Sequence, residues 1–182
     1  ATLRLSRHEV WNSICKKCTW SHCPWYSFLI VRIFRISKTE YIDDLSGEGA
    51  RLYGGRWNLV GDSVVYFSQN LSLSLLEIIV HVEFAKLPVG YSFLEVEISD
   101  KFIKPIQSLD FIKPKWSSEE AAKQVQMLGS SWLKRHESLA LRVPSAILEL
   151  EHNILINPHH KDIGNIKIIK KGTLDFDPRL IR

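Results

Sequence analysis

Residues 47–77 limit the possible folds of this chain more than any other stretch. The stretch begins with a glycine-rich loop, continues into a short β-branched strand at 63–68, and ends in a helix. Arg56, Tyr66 and Glu77 therefore come from a loop, a strand and a helix of one compact unit. Side chains that converge in this way can form a pocket for a small anionic ligand whose bond breaks through a cationic transition state.

The loop from Gly47 to Asn58 lacks the common phosphate-binding motifs. Gly47-Glu48-Gly49 is not a dinucleotide fingerprint, because Leu52 follows and no strand directly precedes it, and the chain has no Walker-type lysine loop. A bound nucleotide would therefore need arginine side chains, and Arg51 and Arg56 are available for bidentate contacts with phosphate oxygens. The loop also carries Tyr53, Trp57 and Asn58, which we predict to contact the ligand.

The helix predicted from Leu71 to Ala85 begins after Asn70, a plausible N-cap. Apolar residues lie on broad faces of this helix, which predicts burial all round against a sheet. Glu77 and His81 interrupt the apolar pattern at i and i+4 and so share one face, which Ser74 joins. A carboxylate in such surroundings needs partners. Two interpretations remain open: a Glu77–His81 pair that fixes the helix to a loop, or a catalytic role for Glu77.

A second buried charge is predicted in the first strand. Alternation along a strand places Arg35 on the same face as Val31 and Ile33. An arginine on an apolar face is unfavourable unless it has an anionic partner. That partner is either a carboxylate of this chain, such as Glu40 or Glu48, or a ligand.

The remainder of the chain adds short strands and a second helix. The predicted strands lie at 93–98, 139–143 and 166–169. Residues 146–150 are expected to continue in an extended conformation. Ser117 and Glu120 predict a capping box that begins a helix, which Gly129 interrupts, and we expect Gln126 on its polar face to be solvated. About five or six short strands and two principal helices, without regular β–α alternation, predict an α+β fold built on a compact mixed sheet.

Composition and charge are compatible with several functions and select no partner. The 182 residues are 45% hydrophobic and 24% charged, which fits one globular domain with a sizeable core. The net charge of +4 and the pI of about 9.0 fit an anionic small molecule or a nucleic acid, but the charges are scattered. No apolar run reaches the ~18–20 residues that cross a bilayer, so we expect a cytoplasmic protein without membrane contact.

The N-terminal residues differ in composition from the rest of the chain. The three cysteines are Cys15, Cys18 and Cys23. With His22 they resemble a zinc-ligand set, but His22 adjoins the last cysteine and no second ligand pair stands at finger spacing. We therefore predict no metal site and interpret residues 1–31 as an extension of unknown role, followed by one domain at 32–182.

A series of short motifs occurs along the chain in the order typical of one family. They are Phe34-Arg35-Ile36, Gly54-Gly55-Arg56-Trp57-Asn58, Val65-Tyr66, Leu76-Glu77, Val143-Pro144-Ser145, Asn153 with Asn157-Pro158-His159, and Asp177-Pro178-Arg179-Leu180. From about Ile33 to Leu180 the chain resembles the RES domain, the toxin half of RES–Xre toxin–antitoxin pairs. Any single motif is weak, whereas the ordered set is specific.

This resemblance implies a fold similar to ADP-ribosyltransferase toxins and an activity on NAD. NAD would be a consumed substrate, not a recycled cofactor, and the family activities are NAD hydrolysis or phosphorolysis and, in some members, ADP-ribosylation of a protein. The arginine, glutamate and serine of the family name map onto Arg56 (with Arg35 as a second candidate), Glu77 and Ser145. The resemblance also implies an Xre-type antitoxin as partner, with nucleic acid contacted only through it, and leaves a homo-oligomer open.

The chemistry of the predicted residues is compatible with this activity. Breaking the nicotinamide–ribose bond builds positive charge on the sugar, as in glycoside cleavage, and Glu77 is the candidate to stabilise that charge. Arg35 and Arg56 suit the diphosphate. Further roles fall to Tyr53 and Tyr66, which can stack on bound rings, and to Ser145, which can orient the ribose or an arginine of the pocket.

Two other functions remain open from the sequence. A ribonuclease toxin would use Arg56, Tyr66, Glu77 and His81 for acid–base cleavage of RNA, although the chain lacks a basic stripe interleaved with aromatic residues. The third possibility is a domain without catalysis that binds a protein partner. Release of nicotinamide from NAD, cleavage of RNA, or tight partner binding without NAD binding would distinguish the three.

Overall fold

The computed structural model describes residues 29–80, 90–107, 109, 112, 115–177 and 179. Within these residues the chain forms seven strands and three α-helices. The strands are β1 (Ile30–Lys38), β2 (Val65–Ser68), β3 (Tyr91–Ser99), β4 (Ile103–Pro105), β5 (Ala140–Pro144), β6 (His152–Ile156) and β7 (Lys167–Leu174). The helices are α1 (Glu48–Tyr53), α2 (Leu71–Ile79) and α3 (Ala122–Arg135). The cysteine cluster, His81 and the predicted helix beyond Val80 lie outside the described residues.

One mixed sheet contains the strands in the order β4-β5-β6-β2-β1-β3-β7. β4 and β5 run parallel, and the other neighbouring pairs are antiparallel. Because helices do not alternate regularly with strands, the predicted α+β class is confirmed. β1 pairs with β3 along its whole length but pairs with β2 only at Phe34 and Ser68. This single-pair contact, here called the seam, joins the two halves of the sheet.

Hydrophobic clusters cover both faces of the sheet. In β6, Ile154 and Ile156 belong to one cluster and Leu155 belongs to the other, as alternation in a strand requires. Val125 and Trp132 of α3 lie in the second cluster, so this helix covers that face. The alternation predicted in β3 is confirmed, with its inward apolar side chains at most 1% exposed.

The predicted start of α2 is confirmed, but its predicted burial is wrong. The Asn70 Oδ1 atom accepts a hydrogen bond from the Leu73 N–H at 2.8 Å, which is the expected N-cap. Within α2 only Leu73 and Ser74 are buried, and Val80 directly after it is 53% exposed. The helix therefore lies against the sheet on one side only.

The predicted interruption of α3 is wrong. The helix begins at Ala122 without a side-chain cap, so the capping box of Ser117 and Glu120 does not form, and it runs through Gly129 without a break. A Cβ atom at Gly129 would lie 1.9 Å from the carbonyl oxygen of Trp57. Glycine here permits a close approach between the helix and the loop.

Two further segments differ from the predictions. The loop predicted from Gly47 to Asn58 contains α1. Residues 146–150, predicted as extended, form bends and a turn between β5 and β6, and β6 has no counterpart among the predicted strands. In the part of the chain that the structure describes, no helix has the length and apolar character that crossing a membrane requires.

Candidate active site

A cavity of about 530 Å³ lies at the seam, between residues of β1, β2, α2 and α3. Its volume falls within the ~300–1,000 Å³ that ligand pockets usually have. Arg35 of β1, Arg56 from the segment after α1, and Glu77 of α2 line it, so the two arginines and the glutamate meet as predicted. The other lining residues are Ile36, Gly54, Gly55, Trp57, Tyr66, Phe67, Ser68, Ser74, Ile78, Ala122, Gln126, Ala146 and Asn153.

The Glu77 carboxylate is held by two neutral donors on one oxygen. Its Oε1 atom accepts hydrogen bonds from the Ser145 hydroxyl at 2.9 Å and from the Asn153 Nδ2 atom at 2.6 Å. No residue in the described ranges donates to Oε2 or forms an ion pair with the carboxylate. One oxygen is therefore fixed, and the other accepts no hydrogen bond from the residues that the structure describes. The pairing of Glu77 with His81 that the sequence left open falls outside the described residues.

Ser145 supports Glu77 and does not line the cavity. Its side chain is fully buried, and its Oγ atom also accepts hydrogen bonds from the N–H groups of Ile147 (3.1 Å) and Leu148 (3.3 Å). The prediction that Ser145 orients an arginine or the ribose is corrected, because the hydroxyl contacts the glutamate instead. Ser145 accordingly holds one oxygen of the Glu77 carboxylate in place.

Arg35 reaches the cavity without neutralisation by a carboxylate at contact distance. Its Nη1 atom donates to the carbonyl oxygens of Ile42 at 3.3 Å and Asp44 at 2.6 Å. Burial lowers the pKa of Arg35, and the nearby negative charge of Asp44 partly opposes that shift. The alternatives of an ion pair with Glu40 or Glu48 are not realised among the described residues. Within the described part of the chain, the remaining N–H groups of this guanidinium have no hydrogen-bond acceptor.

Arg56 resembles Arg35 in this respect, whereas Arg51 does not. The Arg56 Nη1 atom donates to the carbonyl oxygen of Ser117 at 3.1 Å, and no carboxylate in the described part of the chain pairs with it. Arg51 instead forms two hydrogen bonds with Glu48, at 2.7 and 2.6 Å, and lies outside the cavity lining. Of the two loop arginines suggested for phosphate, only Arg56 lines the cavity.

Tyr66 contributes a ring to the cavity wall, and its hydroxyl is engaged elsewhere. The hydroxyl accepts a hydrogen bond from the Trp57 N–H at 3.1 Å and donates one to the Asn58 Oδ1 atom at 2.8 Å. Burial raises the pKa of Tyr66 well above its ordinary value. A neutral hydroxyl with both roles occupied is poorly suited to proton transfer, so the ring face is what Tyr66 can offer a ligand.

Two of the predicted ligand contacts lie outside the cavity, and a third has little exposed surface. Tyr53 is 84% exposed and does not line the cavity, so the structure does not bring it together with the other predicted residues. Asn58 is fully buried outside the cavity, where its Nδ2 atom donates to the carbonyl oxygens of one residue of α1 and two residues of the following loop. Trp57 borders the cavity but is only 2% exposed, with its ring centroid 5.8 Å from that of Trp116.

Several residues that line the cavity were not predicted from the sequence. Gln126, expected to be solvated, lines the cavity and donates from Nε2 to the carbonyl oxygen of Gly55 at 2.8 Å. Asn153 and Ser68, which pair across β6 and β2, line it as well. The available signal for Asn153 was its position as a polar residue at the start of an Ile-Leu-Ile run. Groups of three or more potential metal ligands do not occur among the described residues.

Comparison with known proteins gives consistent results. Residues 32–177 match the family model described as RES domain. The chain is 37% identical over 153 residues to the Prs ADP-ribosylating toxin of Sphingobium sp. (strain YBL2), which covers 83% of this chain and 95% of that protein. It is 33% identical over 152 residues to Toxin Res of Photorhabdus laumondii, covering 82% and 97% respectively.

A solved structure shares the fold. It is the crystal structure of the M. tuberculosis MbcT-MbcA toxin-antitoxin complex, with a TM-score of 0.65 and 17% sequence identity. The match covers 81% of this chain and 85% of that chain. At this level of identity the likeness concerns the arrangement of strands and helices.

Proposed function

The chain belongs to the RES domain family, and from this membership and the cavity we propose that it is a toxin that consumes NAD by cleaving the nicotinamide–ribose bond. One observation carries the proposal. Glu77, whose carboxylate has no cationic partner among the described residues, shares a cavity with two guanidinium groups, those of Arg35 and Arg56, which are held by carbonyl oxygens. The name of the Sphingobium relative, an ADP-ribosylating toxin, supports the same bond as the target.

Glu77 has the features that this bond cleavage requires. When the bond between C1′ and the nicotinamide nitrogen breaks, both electrons leave with nicotinamide, which becomes neutral, and positive charge builds on the ribose. A fixed carboxylate close to the sugar stabilises that charge in a site shielded from water. Both donors on Oε1 are neutral, so these two hydrogen bonds do not cancel the negative charge of Glu77. The acceptor, whether water, phosphate or a protein side chain, then bonds to C1′.

Arg35 and Arg56 suit the diphosphate of NAD. Each is anchored through Nη1 and retains further N–H groups, which can donate to phosphate oxygens in a bidentate manner. The anchors are carbonyl oxygens, so the positive charge remains available to the anionic ligand. The partly buried Tyr66, which lines the cavity, offers a ring on which a base of the substrate can stack.

The ribonuclease alternative finds less support in this site. It assigned acid–base work to Arg56, Tyr66, Glu77 and His81. Of these, Tyr66 is poorly suited, because its hydroxyl is engaged by Trp57 and Asn58. His81 lies outside the described residues. We further propose an Xre-type antitoxin that covers the cavity mouth, with nucleic acid contacted only through that antitoxin. The structural neighbour was crystallised as a toxin-antitoxin complex, which supports this kind of partner.

The decisive experiment measures NAD and its products. Purified protein, free of antitoxin, is incubated with NAD in buffers with and without phosphate, and nicotinamide release and product masses are recorded. We expect the wild type to deplete NAD and Glu77→Gln to lower the rate by about 10²–10³-fold, as for loss of a preorganised electrostatic group. Glu119→Gln, at an exposed glutamate outside the cavity, is the matched control and should keep full activity.

Two results would contradict the proposal. A folded wild-type protein that leaves NAD intact would remove the assigned substrate. A Glu77→Gln variant as active as the wild type would show that bond cleavage proceeds without this carboxylate. The mass of the product identifies the acceptor, because water, phosphate and a protein side chain add different masses to ADP-ribose.

A further inference from the structure

We propose that Ser68 and Asn153 form a positioning pair for Glu77. In this arrangement Asn153 holds the Oε1 atom of the carboxylate, and Ser68 fixes the direction of the Asn153 amide. The inference rests on the proposed function, in which Glu77 is the carboxylate at the reacting ribose. It assigns a role in the reaction to two uncharged side chains, which act on the reacting ribose through Glu77.

The two residues are direct neighbours across adjacent strands. Ser68 of β2 pairs with Asn153 of β6, and the Ser68 hydroxyl donates to the Asn153 Oδ1 atom at 2.7 Å. On its other side, the Asn153 Nδ2 atom donates to Glu77 at 2.6 Å. Both residues are buried, with 4% of Ser68 and 8% of Asn153 exposed, so water competes little for these bonds.

The order of donors and acceptors along this chain of bonds is fixed by chemistry. An ionised carboxylate only accepts hydrogen bonds, so the Nδ2 side of Asn153 must face Glu77 and the Oδ1 side must face Ser68. Ser68 satisfies Oδ1 by donating its proton. Without that hydroxyl, Oδ1 would be left unsatisfied, and an amide rotated by 180° would bring its oxygen against the carboxylate. Ser68 therefore acts on Glu77 through Asn153.

The pair also determines which oxygen of Glu77 is left for the substrate. Ser145 and Asn153 both donate to Oε1, and they come from the two sides of the β5–β6 hairpin. Two donors on one oxygen restrict rotation of the carboxylate, and within the described ranges no residue donates to Oε2. A cation in the same place would fix the carboxylate equally well but would cancel the negative charge that the reaction needs.

The test separates a role in the reaction from a role in binding or folding. kcat and KM for NAD consumption are measured for Ser68→Ala, Asn153→Ala and the double variant, alongside unfolding midpoints. We expect Asn153→Ala to lower kcat by about 10- to 100-fold and Ser68→Ala by about 3- to 10-fold, with KM within about threefold of wild type. Because Ser68 acts through Asn153, the double variant should have the kcat of Asn153→Ala.

Ser92→Ala is the matched control. Ser92 is also a buried strand serine, 2% exposed, and its hydroxyl is hydrogen-bonded to Thr39 outside the cavity lining. It should lower the unfolding midpoint about as much as Ser68→Ala while leaving kcat unchanged. Ser68→Thr, which keeps the hydroxyl, should retain most of the wild-type kcat.

Several outcomes would overturn the positioning pair. They are an unchanged kcat in both single variants, a change confined to KM, or independent effects that multiply in the double variant. If Asn153→Ala does not fold, Ser68→Ala and Ser68→Thr decide the question, and equal kcat values for these two refute the proposal. A wild type that leaves NAD intact refutes the proposed function and the pair with it, whereas an active wild type with unaffected variants refutes the pair alone.

Discussion

The segment from Gly47 to Asn58 has an outer half and an inner half with different physical properties. The outer half, α1, is exposed to water, and its arginine is neutralised by Glu48 three residues earlier. The inner half, residues 54–58, lies against α3 and β2, and its arginine is anchored by a carbonyl oxygen. The comparison indicates that an arginine remains able to bind an anionic ligand when its protein partners are neutral. Packing against α3 holds the inner half in the arrangement in which its arginine has a neutral partner.

Of the substitutions that compare the two halves, Gly129→Ala should lower the stability of the protein most, because it forces the inner half away from α3. The added Cβ would lie 1.9 Å from the carbonyl oxygen and 2.8 Å from the carbonyl carbon of Trp57, and backbone atoms cannot move aside cheaply. We expect the free energy of unfolding to fall by about 1–3 kcal/mol. NAD consumption should fall as well, because Arg56 adjoins the displaced residue.

Denaturant unfolding followed by fluorescence measures this effect, and Gly49→Ala in the outer half is its control. A Cβ at Gly49 meets no atom within 4 Å. Since alanine favours a helix over glycine, that variant should be as stable as the wild type or more stable by up to about 1 kcal/mol. Equal losses of stability at Gly129 and Gly49 would contradict the proposed difference between the two halves.

Arg56→Ala should have an intermediate effect, which is weaker binding of the substrate. Removing a charged donor to phosphate should raise the KM for NAD by about tenfold, corresponding to ~1.4 kcal/mol, without unfolding the protein. Steady-state kinetics of nicotinamide release measure this change. If Arg51→Ala raised KM as much as Arg56→Ala, the protein partner of each arginine would not determine whether that arginine can bind NAD.

Arg51→Ala should have the smallest effect and should leave KM within about twofold of the wild type. The pair with Arg51 lowers the pKa of the exposed Glu48, so its contribution to stability is present above the unfolded pKa of that carboxyl. The contribution is lost as the pH falls through the lowered folded pKa. The difference in unfolding midpoint between wild type and Arg51→Ala should therefore shrink in acid, and also in high salt. A difference that grows in acid would contradict this explanation.

The sequence predicted the residues whose position follows from local pattern. Alternation identified β3, a cap residue identified the start of α2, and charges at odds with apolar surroundings identified Arg35 and Glu77. These features depend on chemical contrasts between near neighbours in the chain. The α+β class followed from the irregular succession of such elements.

The remaining site residues depend on contacts between distant segments. Ser68 and Asn153 become neighbours only through the register of β2 and β6, which no local pattern reveals. Gly129 appeared to interrupt a helix, because its contact with Trp57 is not visible in the sequence. Tyr53 and Asn58 were grouped with Arg56 by proximity in the chain, yet one is exposed and the other holds the loop.

The seam between β1 and β2 has a consequence for inhibitor design. Elsewhere in the sheet, neighbouring strands share at least three paired positions, but here Phe34 and Ser68 are the single pair among the described residues. A compound that extends from the carboxylate between β1 and β2 would approach Ile36 and Phe67, which line the cavity, and would meet no continuous backbone ladder between these strands. A compound that grows in this direction should therefore leave the pairing of the other strands intact.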